Sequence, residues 1–208
     1  MKQHFAKKLP YLIPTFGIIN FFIFYYIATI YYPGGWEANR TMEGFNWVHN
    51  YSCTLLDPYA YNGKINAGRV PAMIASLSLC IGVGSFFYLF PRYFAMRKFW
   101  KITVQIVGVL SMSFMFFLFT PYHDMLLNVA GTLGGIAIIG TMVALRRNSS
   151  FPQLWAGAAC IFLLLVNGYI YYSGVYVEYL PLIQKFSLLI VFTWFIHVNL
   201  LFLRVKQR

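Results

Sequence analysis

The chain alternates between long apolar runs and short polar or basic intervals. Apolar residues dominate positions 11–32, 70–90, 102–120, 121–145, 152–172 and 180–203. Each run is close to the roughly 20 residues that cross a bilayer core at about 1.5 Å per residue. The pattern predicts an all-α integral membrane protein of six transmembrane helices, in a single domain spanning 1–208. Pro14 is tolerated in the first turn of the first helix, Pro91 closes the second, and Pro121 opens the fourth. The first run follows Lys7 and Lys8, as in a signal peptide, but it is long and has no small-residue cleavage site before Tyr31, so it is expected to stay as a helix.

One polar interval is long. Within the outer loop, 33–69, the stretch 44–69 carries Asn46, His49, Asn50, Cys53 and Asp57 at spacings of three and four, with Val48, Tyr51, Ser52 and Leu55 on the opposing side. That spacing predicts a short amphipathic helix ended by Pro58 and lying on the outer face of the bundle. A lid and half of a site fit this pattern equally well. Asn62-Gly63 predicts a turn, and Asn66 a cap for the second helix.

Composition agrees with the pattern. Hydrophobic residues make up 60% and charged residues 10%, with a mean hydropathy of +0.63, whereas a soluble domain carries about a quarter charged residues. The net charge of +11 would suggest nucleic acid in a soluble chain, but here no nucleic-acid partner is implied. Lys2, Lys7, Lys8, Arg92, Arg97, Lys98, Lys101, Arg146, Arg147, Arg204, Lys206 and Arg208 all fall at one end of the helices. Arg40, Lys64 and Arg69 fall at the other, with Lys185 just inside the sixth helix. Lysine and arginine accumulate in cytoplasmic loops, so both termini are expected inside. The five acids, Glu37, Glu43, Asp57, Asp124 and Glu178, then face outward. Tyrosines and tryptophans near the helix ends fit interfacial belts. Gly131 and Gly135, spaced small-xxx-small, predict a central fourth helix.

The candidate chemistry gathers at the outer end. His123 and Asp124 occupy the first turn of the fourth helix, with Thr120 as its cap; Asp124, Asn128, Gly131 and Gly135 share one face. Asp124 could equally be a plain dipole-compensating acid. Asp57, His123 and Asp124 are the candidate catalytic groups, and His49, Asn50, Cys53, Asn128 and Lys185 the candidate binding groups. A divalent metal such as zinc could draw on His49, His123, Asp57 and Asp124, although no metal-binding spacing supports it. Cys53 could act as a nucleophile with His123 and Asp124. A carboxylate–histidine pair could do acid–base work on a lipid headgroup. Lys185 could instead snorkel to the surface, and His197 reads as a buried, hydrogen-bonded histidine. The three cysteines imply no disulfide framework. Asn39-Arg40-Thr41 and Asn50-Tyr51-Ser52 have the form of glycosylation sequons.

Tyr32-Pro33-Gly34-Gly35, then Asn50-Tyr51-Ser52-Cys53-Thr54-Leu55-Leu56-Asp57, then Asn62-Gly63 and Asn66 resemble a prokaryotic integral-membrane family, domain of unknown function 998. Cys53 and Leu56 depart from that family's Ser-x-Leu-Gly form. The resemblance implies a six-helix protein of a bacterial cytoplasmic membrane and brings no established activity. The reading of the whole is a multi-pass protein, partnered by membrane lipids, with an outward-facing polar site that hydrolyses or binds a lipid-linked or amphiphilic ligand. The alternatives are a small transporter or channel subunit, in which polar residues continue inward past Asn128 and Asn167 toward Gln105 and His197, and a scaffold holding a partner through the outer helix.

Overall fold

A computed structural model describes residues 9–147 and 151–205. Lys2, Lys7, Lys8, Lys206 and Arg208, which entered the reading of the charges, lie outside the described residues. Among the described residues six helices are long and apolar enough to cross a membrane: α1 (Ile13–Ile30), α2 (Arg69–Leu89), α3 (Lys98–Phe116), α4 (His123–Arg147), α5 (Phe151–Ser173) and α6 (Leu180–Val205). Pro14 sits in the first turn of α1 behind a short 3-10 turn, where its missing N–H costs nothing. Pro91 follows α2 in a 3-10 turn that ends the helix.

Each helix packs chiefly on its neighbours in sequence, and α6 returns against α1 to close the bundle. Backbone shape sets the closest approach. A Cβ on Gly17 of α1 would lie 2.5 Å from the Gly82 Cα of α2, so these two helices meet at a contact that only glycine allows. Gly108 of α3 likewise lies under the Phe87 ring. The most buried span is α2, with half of its window inside (50%) against 33% for α4. The expectation of a central fourth helix is therefore corrected: nothing lies within 4 Å of where side chains on Gly131 and Gly135 would begin. The glycines that seat α4 are Gly134, against Ser111, and Gly140, against Trp100 and Val104.

Toward the basic end the core is aromatic. Phe86, Phe87, Phe90 and Phe195 are almost wholly buried, with Phe86 and Phe195 edge to face at 4.8 Å and Phe90 stacked on Phe94 at 4.7 Å. Such pairs add about 0.5–1.5 kcal/mol each beyond their burial.

The outer loop is not the predicted amphipathic helix. It opens with an antiparallel hairpin, β1 (Gly34–Trp36) and β2 (Asn39–Glu43), in register Trp36 to Asn39. A hydrogen-bonded turn then runs from Asn46 to Asn50, followed by a 3-10 helix, Ser52–Leu56. Tyr59 bridges to Ile65 before α2 begins. Gly34 and Gly35 adopt φ of 133° and 85°, values that disfavour any side chain. A Cβ on Gly34 would also strike the Met42 carbonyl. The resulting cap has a small core of its own: Tyr32, Phe45, Leu55 and Ala60 pack on Ala28 of α1 and Ala72 of α2.

Candidate functional site

Two buried asparagines build the cap. Asn50, fully buried, accepts from the Asn46 amide through Oδ1 (2.8 Å) and donates through Nδ2 to the Gly35 carbonyl (2.9 Å). Asn66 donates to the carbonyls of Leu55 (3.0 Å) and Asp57 (2.9 Å) and accepts from the Gly68 amide. It shapes the entry to α2 without being its N-cap, which is Gly68. Asn50, expected as a binding residue, thus has its side-chain amide engaged within the fold, and its burial leaves the Asn50 sequon inaccessible. Asn46 accepts from the amides of Val48 and His49, an Asx-type turn in place of a helical turn.

Side chains of α1, α2 and α6 fasten the cap to the bundle, Arg69 of α2 donating to the Leu56 carbonyl (3.0 Å). The Ser52 amide donates to Gln184 Oε1 of α6 (3.2 Å), and Tyr25 of α1 shares a hydrogen bond with the Ser52 hydroxyl (3.2 Å). The Lys185 ammonium donates to the carbonyls of Asn50 and Pro181, with the Phe45 ring 5.5 Å away. Lys185 points into the cap as a latch, and its donors are directed at the backbone.

Asp57, at the exposed edge of the cap, lies within electrostatic reach of His123 and Arg69. The His123 Nδ1 and Asp124 Oδ1 are 3.0 Å apart at the start of α4. The side chains are 28% and 71% exposed respectively, so the pair is open at the protein surface. Tyr171 of α5 lies beside Asp124, and the Tyr172 hydroxyl donates to Asn128 Oδ1. Thr120 does not cap α4 as expected: its hydroxyl donates back to the Phe117 carbonyl (2.8 Å), and the Tyr122 carbonyl accepts the first helical bond from Leu126.

The electrostatics separate the chemical readings. Burial pushes the Cys53 thiol up to about 11, with the carboxylates of Asp57 and Asp124 adding to the shift and Lys185 opposing it. At neutral pH Cys53 is therefore a thiol, and a nucleophilic cysteine needs the opposite environment. Desolvation raises Asp57 above the ordinary carboxylate range, against the charges of His123 and Arg69. His49 stacks flat on Trp36 at 4.1 Å, a contact within the cap. Among the described residues no three His, Cys, Asp or Glu side chains gather to hold a metal ion. What remains is the hydrogen-bonded His123–Asp124 pair, with Asp57 within electrostatic reach of His123 and Arg69, and Tyr171 beside Asp124. With Nδ1 tied to Asp124, the Nε2 of His123 is left for a proton or a ligand.

Arg69 and Tyr171 escaped the sequence reading. Arg69 counted only as a loop charge and Tyr171 as part of an aromatic belt; neither has a local pattern that sets it apart. The polar residues inside the bundle do not line one path. Asn167 bonds Ser187 between α5 and α6, Gln105 bonds the Tyr88 carbonyl between α3 and α2, and His197 meets Gln153 on an exposed face, not in the buried setting expected for it. No family model, no curated protein and no solved structure matches this chain.

Proposed function

We propose that this multi-pass membrane protein binds the headgroup of an amphiphilic ligand at its outer face, between the cap and the start of α4, with His123 placed for proton transfer. The observation that carries the reading is that Asp57 of the cap lies within electrostatic reach of His123, which is hydrogen-bonded to Asp124 at the start of α4. Two carboxylates around one imidazole outnumber the single guanidinium of Arg69 beside them, and the Lys185 ammonium is turned into the cap, so the mouth leans toward negative potential. Such a mouth favours a cationic or uncharged headgroup over a phosphate. The apolar helix ends around it hold the ligand's hydrocarbon part at headgroup depth. Membership in the domain of unknown function 998 family belongs to the same reading, because the residues of that resemblance, among them Gly34, Gly35, Asn50 and Asn66, are those that build the cap.

A transport path has less support, since the polar side chains lie on separate helix interfaces and the basic-end core is packed with aromatic rings. The test uses long-chain amphiphiles of opposite charge in neutral detergent. Dodecylamine should raise the melting midpoint of the purified protein and dodecyl phosphate should not. Asp57→Asn and Asp124→Asn should each lose most of the dodecylamine shift while remaining monodisperse. Equal shifts from both amphiphiles, or variants that respond like the unchanged protein, would remove the reading.

A further inference from the structure

At the end of the bundle opposite the cap, a cavity of about 430 Å³ opens between the loop that follows α2, the first turn of α3 and the last turn of α4. Two guanidinium groups line it, Arg97 from the loop and Arg147 from α4, and both side chains are exposed. Ala95, Met96 and Val143 supply apolar wall, and the Trp100 ring forms one side. Trp100 is held there by the bundle, because its ring packs where α4 has only Gly140.

The charge around this cavity is one-sided. All five acidic side chains of the chain, Glu37, Glu43, Asp57, Asp124 and Glu178, belong to the cap, the outer end of α4 or the α5–α6 turn. No aspartate or glutamate is therefore available to neutralise Arg97 or Arg147. The first turn of α3 also contains no acid and has no side-chain cap, so its N-terminal partial charge adds to that of the two arginines. Loop arginines at this end are accounted for by membrane orientation alone. Orientation does not require two of them to line one cavity with a tryptophan ring and apolar wall between them.

We propose that this cavity is a site for the phosphate-bearing headgroup of an anionic membrane lipid. The guanidinium groups meet the phosphate, for which their planar fork geometry is suited. Trp100, Met96 and Val143 meet the glycerol and the upper acyl chain, and that apolar half of the cavity makes a lipid the occupant, not a free phosphate ion. Basic pockets between helices at one membrane face recognise anionic headgroups in this way. The site is separate from the acidic mouth at the cap and does not depend on it.

Native mass spectrometry of the full chain in neutral detergent tests the assignment, with phosphatidylglycerol as probe, phosphatidylcholine as neutral comparison and inorganic phosphate as competitor. The unchanged protein should retain one phosphatidylglycerol in preference to phosphatidylcholine, and millimolar phosphate should not displace it. Arg97→Gln and Arg147→Gln should each weaken retention roughly fivefold, the worth of one basic residue near a lipid surface. Arg97→Lys and Arg147→Lys should restore part of it. Arg146→Gln is the control, because Arg146 is exposed on the same helix turn but does not line the cavity. If Arg146→Gln weakens retention as much as Arg147→Gln, the attraction is diffuse surface charge and the site does not exist. Equal retention of the two lipids overturns the proposal, and displacement by inorganic phosphate makes it a free-anion site.

Discussion

At Asp57 the cap raises the carboxyl above its ordinary range, because desolvation outweighs the opposing charges of His123 and Arg69. A raised value in the folded state means that the native protein holds the proton more tightly than the unfolded chain does. The stability gained is present below the ordinary aspartate pKa, about 3.9, and is lost as pH rises through the folded value. Where it is ionised, Asp57 is thus a burden on the fold, unlike a carboxylate paired for stability. Asp57→Asn keeps the backbone carbonyl that Asn66 holds and removes the ionisation. Its melting midpoint at pH 7 should equal or exceed that of the unchanged protein, and the difference should vanish toward pH 3.5. A lower midpoint at pH 7 would show that the carboxylate supports the cap. A residue that costs stability where it is ionised is the kind retained for function. Asn50 is the reverse case. Its sequence neighbours placed it on a polar face, yet loop closure directs its amide inward to Asn46 and Gly35, and no local pattern announces which way an asparagine in a loop will turn.

Among the elements, the six helices were legible because run length in a bilayer leaves little choice of conformation. Their ends fell within a few residues of expectation, and proline marks the start of α1 and the end of α2. The cap was not legible as a hairpin. Polar residues spaced by three and four between Asn46 and Asp57 suit an amphipathic helix, but the same spacing arises from an Asx turn followed by a 3-10 helix. The glycines misled in a related way. Gly131 and Gly135 have the small-xxx-small spacing and face open space, whereas Gly17, with no such partner in its own helix, carries a close backbone-to-backbone contact between α1 and α2. Spacing within one helix does not reveal which neighbour approaches it. Gly17→Val would drive a side chain into the Gly82 Cα and the Ser78 carbonyl of α2, at 2.5 and 2.6 Å, and backbone cannot rotate away as a side chain can. The variant should lose about 1–3 kcal/mol or more, measured by unfolding in increasing sodium dodecyl sulfate. Gly131→Val should stay within about 0.5 kcal/mol of the unchanged protein. Reversal of that order would mean that α4, not the α1–α2 contact, holds the bundle together.

Across the whole molecule two polar ends of opposite character are held apart by an apolar bundle. The acids gather at the cap, the start of α4 and the α5–α6 turn; most of the described arginines and lysines gather at the other end, where Arg97 and Arg147 line the cavity. This separation was visible in the sequence, because helix ends alternate between faces and charges could be assigned to each by counting. The contents of the outer site were visible only in part. Asp57 lies within electrostatic reach of His123, which bonds Asp124, while His49 and Asn50 take structural positions that only the closed hairpin creates. The side of the membrane follows from the lysines and arginines, which are retained in the cytoplasm during insertion far more strongly than acids are exported. The basic end is therefore expected inside and the cap outside. On a background lacking Cys53, Cys80 and Cys160, single cysteines at Glu37, Glu178 and Lys98 distinguish the two orientations. All three positions are exposed in the structure, so differences in labelling report the membrane side and not burial. An impermeant maleimide applied to intact cells should label Glu37→Cys and Glu178→Cys, and should label Lys98→Cys only after the membrane is opened. Labelling of Lys98→Cys in intact cells, with the other two protected, would invert the molecule: the acidic mouth would then face the cytoplasm and the arginine cavity the outer leaflet, and the ligand and lipid assigned to each would have to be sought on the opposite side.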